Sequence, residues 1–330
     1  MAEMIRDHQW VTFIIPVFNQ EQRLKDAVLS VLKQTYDRWK LIIINDGSTD
    51  RTCDIATHFQ DIDNRIRIIN LEKNSGNAFF PRLIGIQNTD TSWVAPLDAD
   101  DTIDPDYLEN LLLTQRNTNS RVVFPTRISE TDKILPYDLS IIEKGITGKN
   151  SIKYTLNGWR INCNGGIIWR DLYLKAIENF DIKDIHSRSD ELLTRYLLTL
   201  APTISISKAR YFYKKNNDSI TNRRTTKLFD YLKNNQKLVD FVKSNFGITS
   251  EEYTLAQKQN FSGIFDAFNI MNKYKFKNNE LSGVTQLINR CRTIVDISAI
   301  RSEINPIYIL LFYSGNFITK YALRLRNIIK

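Results

Sequence analysis

The sequence predicts an α/β protein: a mostly parallel sheet with helices on both faces, followed by a helical C-terminal region. Two observations carry the prediction. Short apolar runs alternate with helix-spaced segments through the first ~125 residues, the pattern of a parallel sheet covered on both sides. From Thr225 onward the apolar residues recur only at helical spacing. The predicted division is residues 1–224 for the α/β domain and 225–330 for the helical region.

The first strand is Val11 to Val17, V-T-F-I-I-P-V, apolar almost throughout, as in a strand buried on both faces. Pro16 falls at its end, where a missing ladder bond is tolerated. Phe18, Asn19 and Gln20 form the exit loop, and Leu24, Ala27, Val28, Val31 and Leu32 define a helix to about Gln34. Leu41 to Ile44 is the second strand. It ends in the turn-rich N-D-G-S-T-D, Asn45 to Asp50, which leads into a helix through His58. Ile66, Ile68 and Leu71 mark a third strand, Asn74 to Asn77 a loop, and Ala78 to Gln87 a helix with an early proline at Pro81. Trp93 to Leu97 is the fourth strand, and Arg121 to Thr126 a fifth. Arg127 to Asn150 is polar and carries no clear signal. Trp159 to Trp169 mixes aromatics with a glycine pair, as either a pocket wall or a buried turn. A helix opens after His186–Glu191, and Thr203 to Ser207 is a further strand.

In open sheets of this kind ligands bind beyond the carboxyl ends of the strands. Four polar loops fall there: Pro16 to Asn19, Asp46 to Ser48, Asn74 to Gly76 and Asp98 to Asp101. The last is the most telling. A buried strand that runs into Asp98, Ala99, Asp100 and Asp101 gathers like charge with no cation in the run. Mg²⁺ or Mn²⁺ would resolve it, since such ions favour one or two carboxylates together with substrate phosphates. In an extended segment Asp98 and Asp100 would share one side. The bland alternative covers Thr102 to Pro105, where Thr102 or Asp104 would cap a helix. Neither a G-x-G-x-x-G nor a P-loop motif is present, which argues against dinucleotide and kinase-type sites.

The 330 residues are 42% hydrophobic and 25% charged, ordinary globular composition. Cys53, Cys163 and Cys291 are few and widely spaced, which suits a reducing cytoplasm and excludes a disulfide framework. Arg6, Asp7 and His8 precede the first strand without the pattern of a leader, and no run is long enough to cross a bilayer. The expected location is the cytoplasm, peripheral at the inner face of the plasma membrane. Residues 216–330 carry 17 basic and 9 acidic residues and hold the whole net charge of +8; the rest balances, 28 against 28. Ile304 to Lys330 contains no acid and places Lys320, Arg324, Arg326 and Lys330 beside apolar residues. It reads as an amphipathic basic helix on an anionic membrane surface, or as a terminal helix docked on the core or a second subunit. Aromatics interleave with lysines around Lys273 to Lys277, but no nucleic-acid module is present, and no nucleic-acid partner is expected.

Six segments taken together resemble family 2 glycosyltransferases of the GT-A fold, most of all bacterial enzymes that build surface polysaccharides. They are V-T-F-I-I-P-V-F-N (11–19), N-D-G-S-T-D (45–50), N-S-G-N-A-F-F-P-R (74–82), L-D-A-D-D (97–101), S-D-E (189–191) and Y-K-K-N-N-D-S-I-T (213–221). The resemblance implies that Pro16 and Phe18 line the base pocket, that Asn19 belongs to the donor site and that Asp46 accepts from the uracil ring. Asn74 joins the donor site, and Arg82 braces the acidic loop. Asp98 touches the ribose, Ala99 belongs to the donor site, and Asp100 ligates the metal on the diphosphate. Lys214, Lys215 and Ser219 would cover the leaving group. An inverting displacement needs one base, Asp190 or Glu191, and Asp190 is preferred. The family often shows Glu-Asp there, where this chain has Ser189-Asp190-Glu191. It often shows histidine where Asn216 stands, and smaller residues than Phe79-Phe80. The implied partners are a nucleotide sugar, most simply UDP-linked, and a glycan or polyprenyl-diphosphate-linked acceptor. A sugar-nucleotide-binding protein without catalysis, on the same fold, is the alternative.

Overall fold

The computed structural model describes residues 9–129, 145–158, 161–178, 180, 189–214, 225–277 and 280–313. The chain divides into two compact units, one of Met1–Ile185 with Leu193–Asn216, the other of His186–Leu192 with Asn217–Lys330.

The first unit is built on one sheet of eight strands among the described residues. In chain order they are β1 (Val11–Val17), β2 (Trp39–Asn45), β3 (Ile66–Asn70), β4 (Trp93–Pro96), β5 (Thr102–Ile103), β6 (Val122–Ser129), β7 (Ile167–Trp169) and β8 (Ile204–Tyr213). Their spatial order is β3-β2-β1-β4-β7-β6-β8-β5. The first four run parallel, as the alternation of strands and helices predicts. Helices α1 (Leu24–Leu32), α2 (Thr52–Ile62) and α3 (Phe79–Gln87) supply the crossovers, and α4 (Tyr107–Thr118), α5 (Gly148–Leu156) and α6 (Arg170–Glu178) follow.

Both faces of the sheet are covered. Val11, Phe13 and Ile15 belong to one core with Leu24, Ala27, Val28 and Val31 of α1. Ile14 and Ile44, of the opposite parity, meet α3 at Gly85, where an added Cβ would lie 2.6 Å from Ile14 Cγ2 and from Ile44 Cδ1. Helix and sheet are therefore in contact almost at backbone level there.

Beyond β4 the sheet departs from a parallel order. β7 pairs antiparallel with both β4 and β6, β6 pairs parallel with β8, and β5 pairs antiparallel with β8. The glycine pair makes this insertion possible. Gly166 has φ +92, and a Cβ there would meet Val123 O at 2.1 Å. In its described part, Ile161–Trp169, the aromatic-and-glycine stretch is thus a largely buried turn and a sheet strand. The expected cap at Thr102 or Asp104 is also corrected. Thr102 lies in β5, the N-cap of α4 is Asp106 without a side-chain cap bond, and the Asp104 carboxylate accepts from Arg210 instead.

The second unit contains α8 (Tyr231–Phe246), α9 (Glu251–Tyr274), α10 (Ser282–Thr293), α11 (Ile297–Ile300) and α12 (Pro306–Tyr313). Phe261, Phe265 and Phe268, expected as an apolar stripe, are buried in its core. In α12, Phe312 packs on Phe261, while Ile307, Leu310 and Tyr313 are exposed. The basic residues expected in a terminal amphipathic helix, Lys320 to Lys330, lie outside the described residues. No described helix is long and apolar enough to cross a membrane.

Candidate active site

The parallel register sets the ends of β1, β2 and β3 level, at Val17, Asn45 and Asn70, and the loops that leave them are tied together by short polar bonds. Asn19, in the left-handed region at φ 49, donates its backbone N–H to Ser48 Oγ (3.1 Å) and accepts from Thr49 N at Oδ1 (2.8 Å). Gln20 N donates to Thr52 Oγ1 at 2.8 Å. Asn45 Nδ2 donates to Asn70 Oδ1 at 2.9 Å. These side chains stand in the N-D-G-S-T-D and V-F-N segments because bonds between loops need short amides and hydroxyls. Phe18 beside them is 41% exposed, so its ring is accessible to a flat ligand. Pro16 is buried in β1, level with Ile44.

Asp46 lies under this layer at 3% exposure. Its carboxylate accepts from Asn74 Nδ2 (3.0 Å), Ser75 Oγ (2.9 Å) and Ser75 N (3.0 Å). A buried charge needs such bonds to be tolerated. Asp46 and Asn74 therefore meet, and their visible work is to fasten the 74–77 loop. Gly47, at φ +68, completes the joint: a Cβ there would lie 2.7 Å from Asn74 N and 2.9 Å from Lys73 C, both backbone atoms. Gly47→Ala is expected to cost about 1–3 kcal/mol through the positive φ and the clash. A urea titration with and without UDP measures it, and an unchanged midpoint would contradict the contact.

The acidic loop is a turn, not the extended segment expected from D-x-D spacing: Asp101 N donates to Asp98 O at 3.1 Å. Asp98 and Asp100 consequently face different cations. Arg82, its side chain 5% exposed, donates to Asp98 Oδ1 at 2.8 Å. Arg23 Nη1 stands 3.9 Å from Asp100 Oδ2. Both cations come from outside the run, one from α3 and the other from the residue before α1. Ala99 is buried between the acids.

Asp101 has a different role. It is 1% exposed and accepts from Tyr211 Oη (2.7 Å) and from Lys214 N (2.9 Å). Burial, and next the charge of Asp98, pushes its carboxyl up to about 7, against the lowering effect of the Tyr211 bond. Tyr211, fully buried, also accepts from Asp98 N at 3.2 Å. Burial and then the charge of Asp101 hold its hydroxyl well above the usual tyrosine range. The Arg127 guanidinium lies 4.8 Å from the Tyr211 ring centre.

The sequence reading misses Tyr211, Arg23 and Arg127. The link is β5, whose two residues pair with Phe212 and Tyr211 and so carry the end of β8 to the acidic turn. Nothing in the spacing of a two-residue strand announces that pairing. Lys214 is brought to the turn by its main chain, while its ammonium lies 3.3 Å from Asp26 Oδ2. Lys215 and Ser219 are outside the described residues. Asp190 and Glu191 occupy the first turn of α7 (Ser189–Leu200) and belong to the second unit. There Ser189 Oγ lies 3.5 Å from Asn234 Oδ1.

The donor set bears on a metal. No group of three or more His, Cys, Asp or Glu side chains that could hold an ion occurs among the described residues. Asp98 is engaged by Arg82, and Asp101 by Tyr211 and the Lys214 main chain. A closed protein cage does not fit. A Mg²⁺ or Mn²⁺ held chiefly by the partly exposed Asp100 and completed by substrate phosphate does fit.

Residues 12–175 match the family model "Glycosyl transferase family 2". The chain belongs to glycosyltransferase family 2. It is 27% identical over 253 residues to EpsH of Bacillus subtilis (strain 168), covering 71% of this chain and 72% of EpsH. It is 33% identical over 156 residues to the poly(ribitol-phosphate) β-N-acetylglucosaminyltransferase TarP of Staphylococcus aureus (strain N315), covering 44% of this chain but 46% of TarP. The fold is that of S. aureus TarS 1–349, solved with UDP: TM-score 0.71 at 19% identity, over 95% of this chain and 89% of that one. The same TarS fragment with UDP-GlcNAc gives a TM-score of 0.67 at 18% identity, over 88% and 83%. The mixed sheet with its acidic turn is thus a GT-A fold, and the protein is a glycosyltransferase.

Proposed function

We propose that this glycosyltransferase is metal-dependent and inverting, and that it moves a sugar from a UDP donor to a hydroxyl of a bacterial surface glycan or lipid-linked oligosaccharide. The acidic turn carries the reading. Asp98 is bonded at 2.8 Å by Arg82 and Asp101 at 2.7 Å by Tyr211, while Asp100, as partly exposed as Asp98, faces Arg23 at 3.9 Å, where a cation and a diphosphate would be received. The ligands named for the TarS structures, UDP and UDP-GlcNAc, and the transfer named for TarP support a nucleotide-sugar donor.

In this reading Phe18 stacks on the base and Asp46 accepts its N–H; Oδ1 of Asp46 takes one bond from the loop and has capacity for another. Arg82 sets Asp98 for the ribose. A metal at Asp100 supplies Lewis-acid stabilisation of the leaving diphosphate, and Lys214, Lys215 and Ser219 cover it. Asp190 takes the proton of the acceptor hydroxyl, in preference to Glu191, on the strength of its place in the S-D-E segment. The basic C-terminal segment suits an acceptor carried on a membrane-borne diphosphate.

The test is release of nucleoside diphosphate from a panel of sugar nucleotides with Mn²⁺, Mg²⁺ or EDTA. Metal-stimulated release from one donor is the expected result, and metal-independent turnover would refute the role of Asp100. Asp190→Asn is expected to lower turnover by roughly 10²–10⁴-fold while leaving the UDP-dependent thermal shift in place. Turnover equal to that of the native chain would remove Asp190 as the base.

A further inference from the structure

The opposite edge of the sheet carries a second concave surface. A cavity of about 510 Å³ opens where β1, β2 and β4 begin, with Gln9, Trp10, Lys40, Asp90, Trp93 and Trp169 in its lining. Its size falls in the roughly 300–1,000 Å³ range of small-molecule sites. Register explains why the indoles meet there. Val11, next to Trp10, is level with Trp93, and Trp93 is level with Trp169 on the antiparallel strand β7. Trp93 and Trp169 meet edge to face, with centroids 5.1 Å apart at 87°.

Three features of the lining point to a ligand of one chemistry. First, Trp10 keeps 42% of its surface exposed at the cavity. Second, Lys40 lies 2.6 Å from the Asp90 carboxylate and 5.8 Å from the Trp10 ring centre, so among the described residues the full charges of the lining cancel. Third, the Trp93 indole N–H and Gln9 Oε1 are buried with no hydrogen-bond partner among the described residues. Native interiors leave few such atoms unsatisfied, and a lining whose residues hold one unused donor and one unused acceptor is an opening for hydroxyl groups.

We propose that this cavity is a second glycan-binding site, one that takes a neutral pyranose of an oligosaccharide. The C–H face of the sugar packs on Trp10. Its hydroxyls accept from Trp93 Nε1 and donate to Gln9 Oε1, and the Lys40–Asp90 pair adds one donor and one acceptor. The cancelled charge disfavours a diphosphate or a cation. Choosing a sugar among neutral polar ligands rests on the glycosyltransferase reading. The five residue steps from Trp93 to Asp98 span roughly 17 Å, so this sugar is distinct from one reacting at the acidic turn. A glycan held there keeps the enzyme on its polymer and raises the local concentration of acceptor ends.

The test uses the full chain and tryptophan fluorescence, titrated with neutral oligosaccharides of N-acetylglucosamine, glucose, galactose and mannose in the presence of saturating UDP and Mn²⁺. At least one is expected to give a saturable change that UDP does not compete. Trp10→Ala should weaken it roughly tenfold and Trp10→Phe should restore part of it, as loss and partial return of an aromatic face predict. Gln9→Ala should weaken it less. The UDP-dependent thermal shift should be the same in all three variants. No saturable change with any probe, a change abolished by UDP, or one indifferent to Trp10→Ala would overturn the proposal. Glycan binding without any UDP shift would instead overturn the donor reading and leave this site standing.

Discussion

Arg82→Ala is expected to cost about 2 kcal/mol of folding stability, read as a lowered urea midpoint, because the guanidinium is buried although its partner is partly exposed. The guanidinium is 5% exposed and stands 2.8 Å from Asp98. Its removal takes the 2.8 Å charge-assisted bond from that partly exposed carboxylate, which stands beside the like charges of Asp100 and Asp101. The attribution is tested by a double-mutant cycle. Asp98→Asn alone should be mild, and Asp98→Asn in the Arg82→Ala background should recover at least half of the loss, because the uncompensated charge is gone. Arg82→Lys should recover less than an exchange of equal charges suggests, since an ammonium on a shorter stem cannot reproduce the planar donor. A cost below about 0.5 kcal/mol for Arg82→Ala would place it among ordinary surface pairs and end the bracing role.

The second large effect belongs to Asp100. Asp100→Asn is expected to lower metal-stimulated donor turnover by roughly 10²–10³-fold, the scale on which loss of one preorganised electrostatic contact is felt. Folding stability should change little, because Asp100 is partly exposed and its ion pair with Arg23 is long, 3.9 Å. The extra thermal shift given by Mn²⁺ on top of UDP should vanish, while the shift with UDP in EDTA should remain. An Asn variant with the native metal response would move the cation elsewhere.

Much of the site's framework was legible because it follows from chain order. Alternating strands and helices put Asn19, Asp46 and Asn74 at successive strand ends, and the parallel register then makes the loops neighbours. The acids of Asp98 to Asp101 were legible as a cluster, since charge is visible in a sequence, but their directions were not. A turn and an extended segment share the same letters, and only the Asp101 N to Asp98 O bond separates Asp98 from Asp100. Arg23 and Tyr211 were invisible for a different reason. One lies 77 residues before Asp100 and the other 110 after Asp101, and both arrive through tertiary packing. The antiparallel insertion of β7 escaped similarly, its glycine pair marking a close approach without naming the partner.

Gly85 has a consequence beyond packing. Arg82 sits one helical turn before it on α3, and the helix is pressed onto Ile14 and Ile44 with no side chain between. The apolar layer there acts as a shim: its thickness sets the height at which the guanidinium stands over Asp98. An extra methylene at Ile14 or Ile44 would lift the helix and lengthen an ion pair that neither residue touches. The geometry of the Arg82–Asp98 pair is therefore open to adjustment from the hydrophobic interior, by substitutions at positions that touch neither charge.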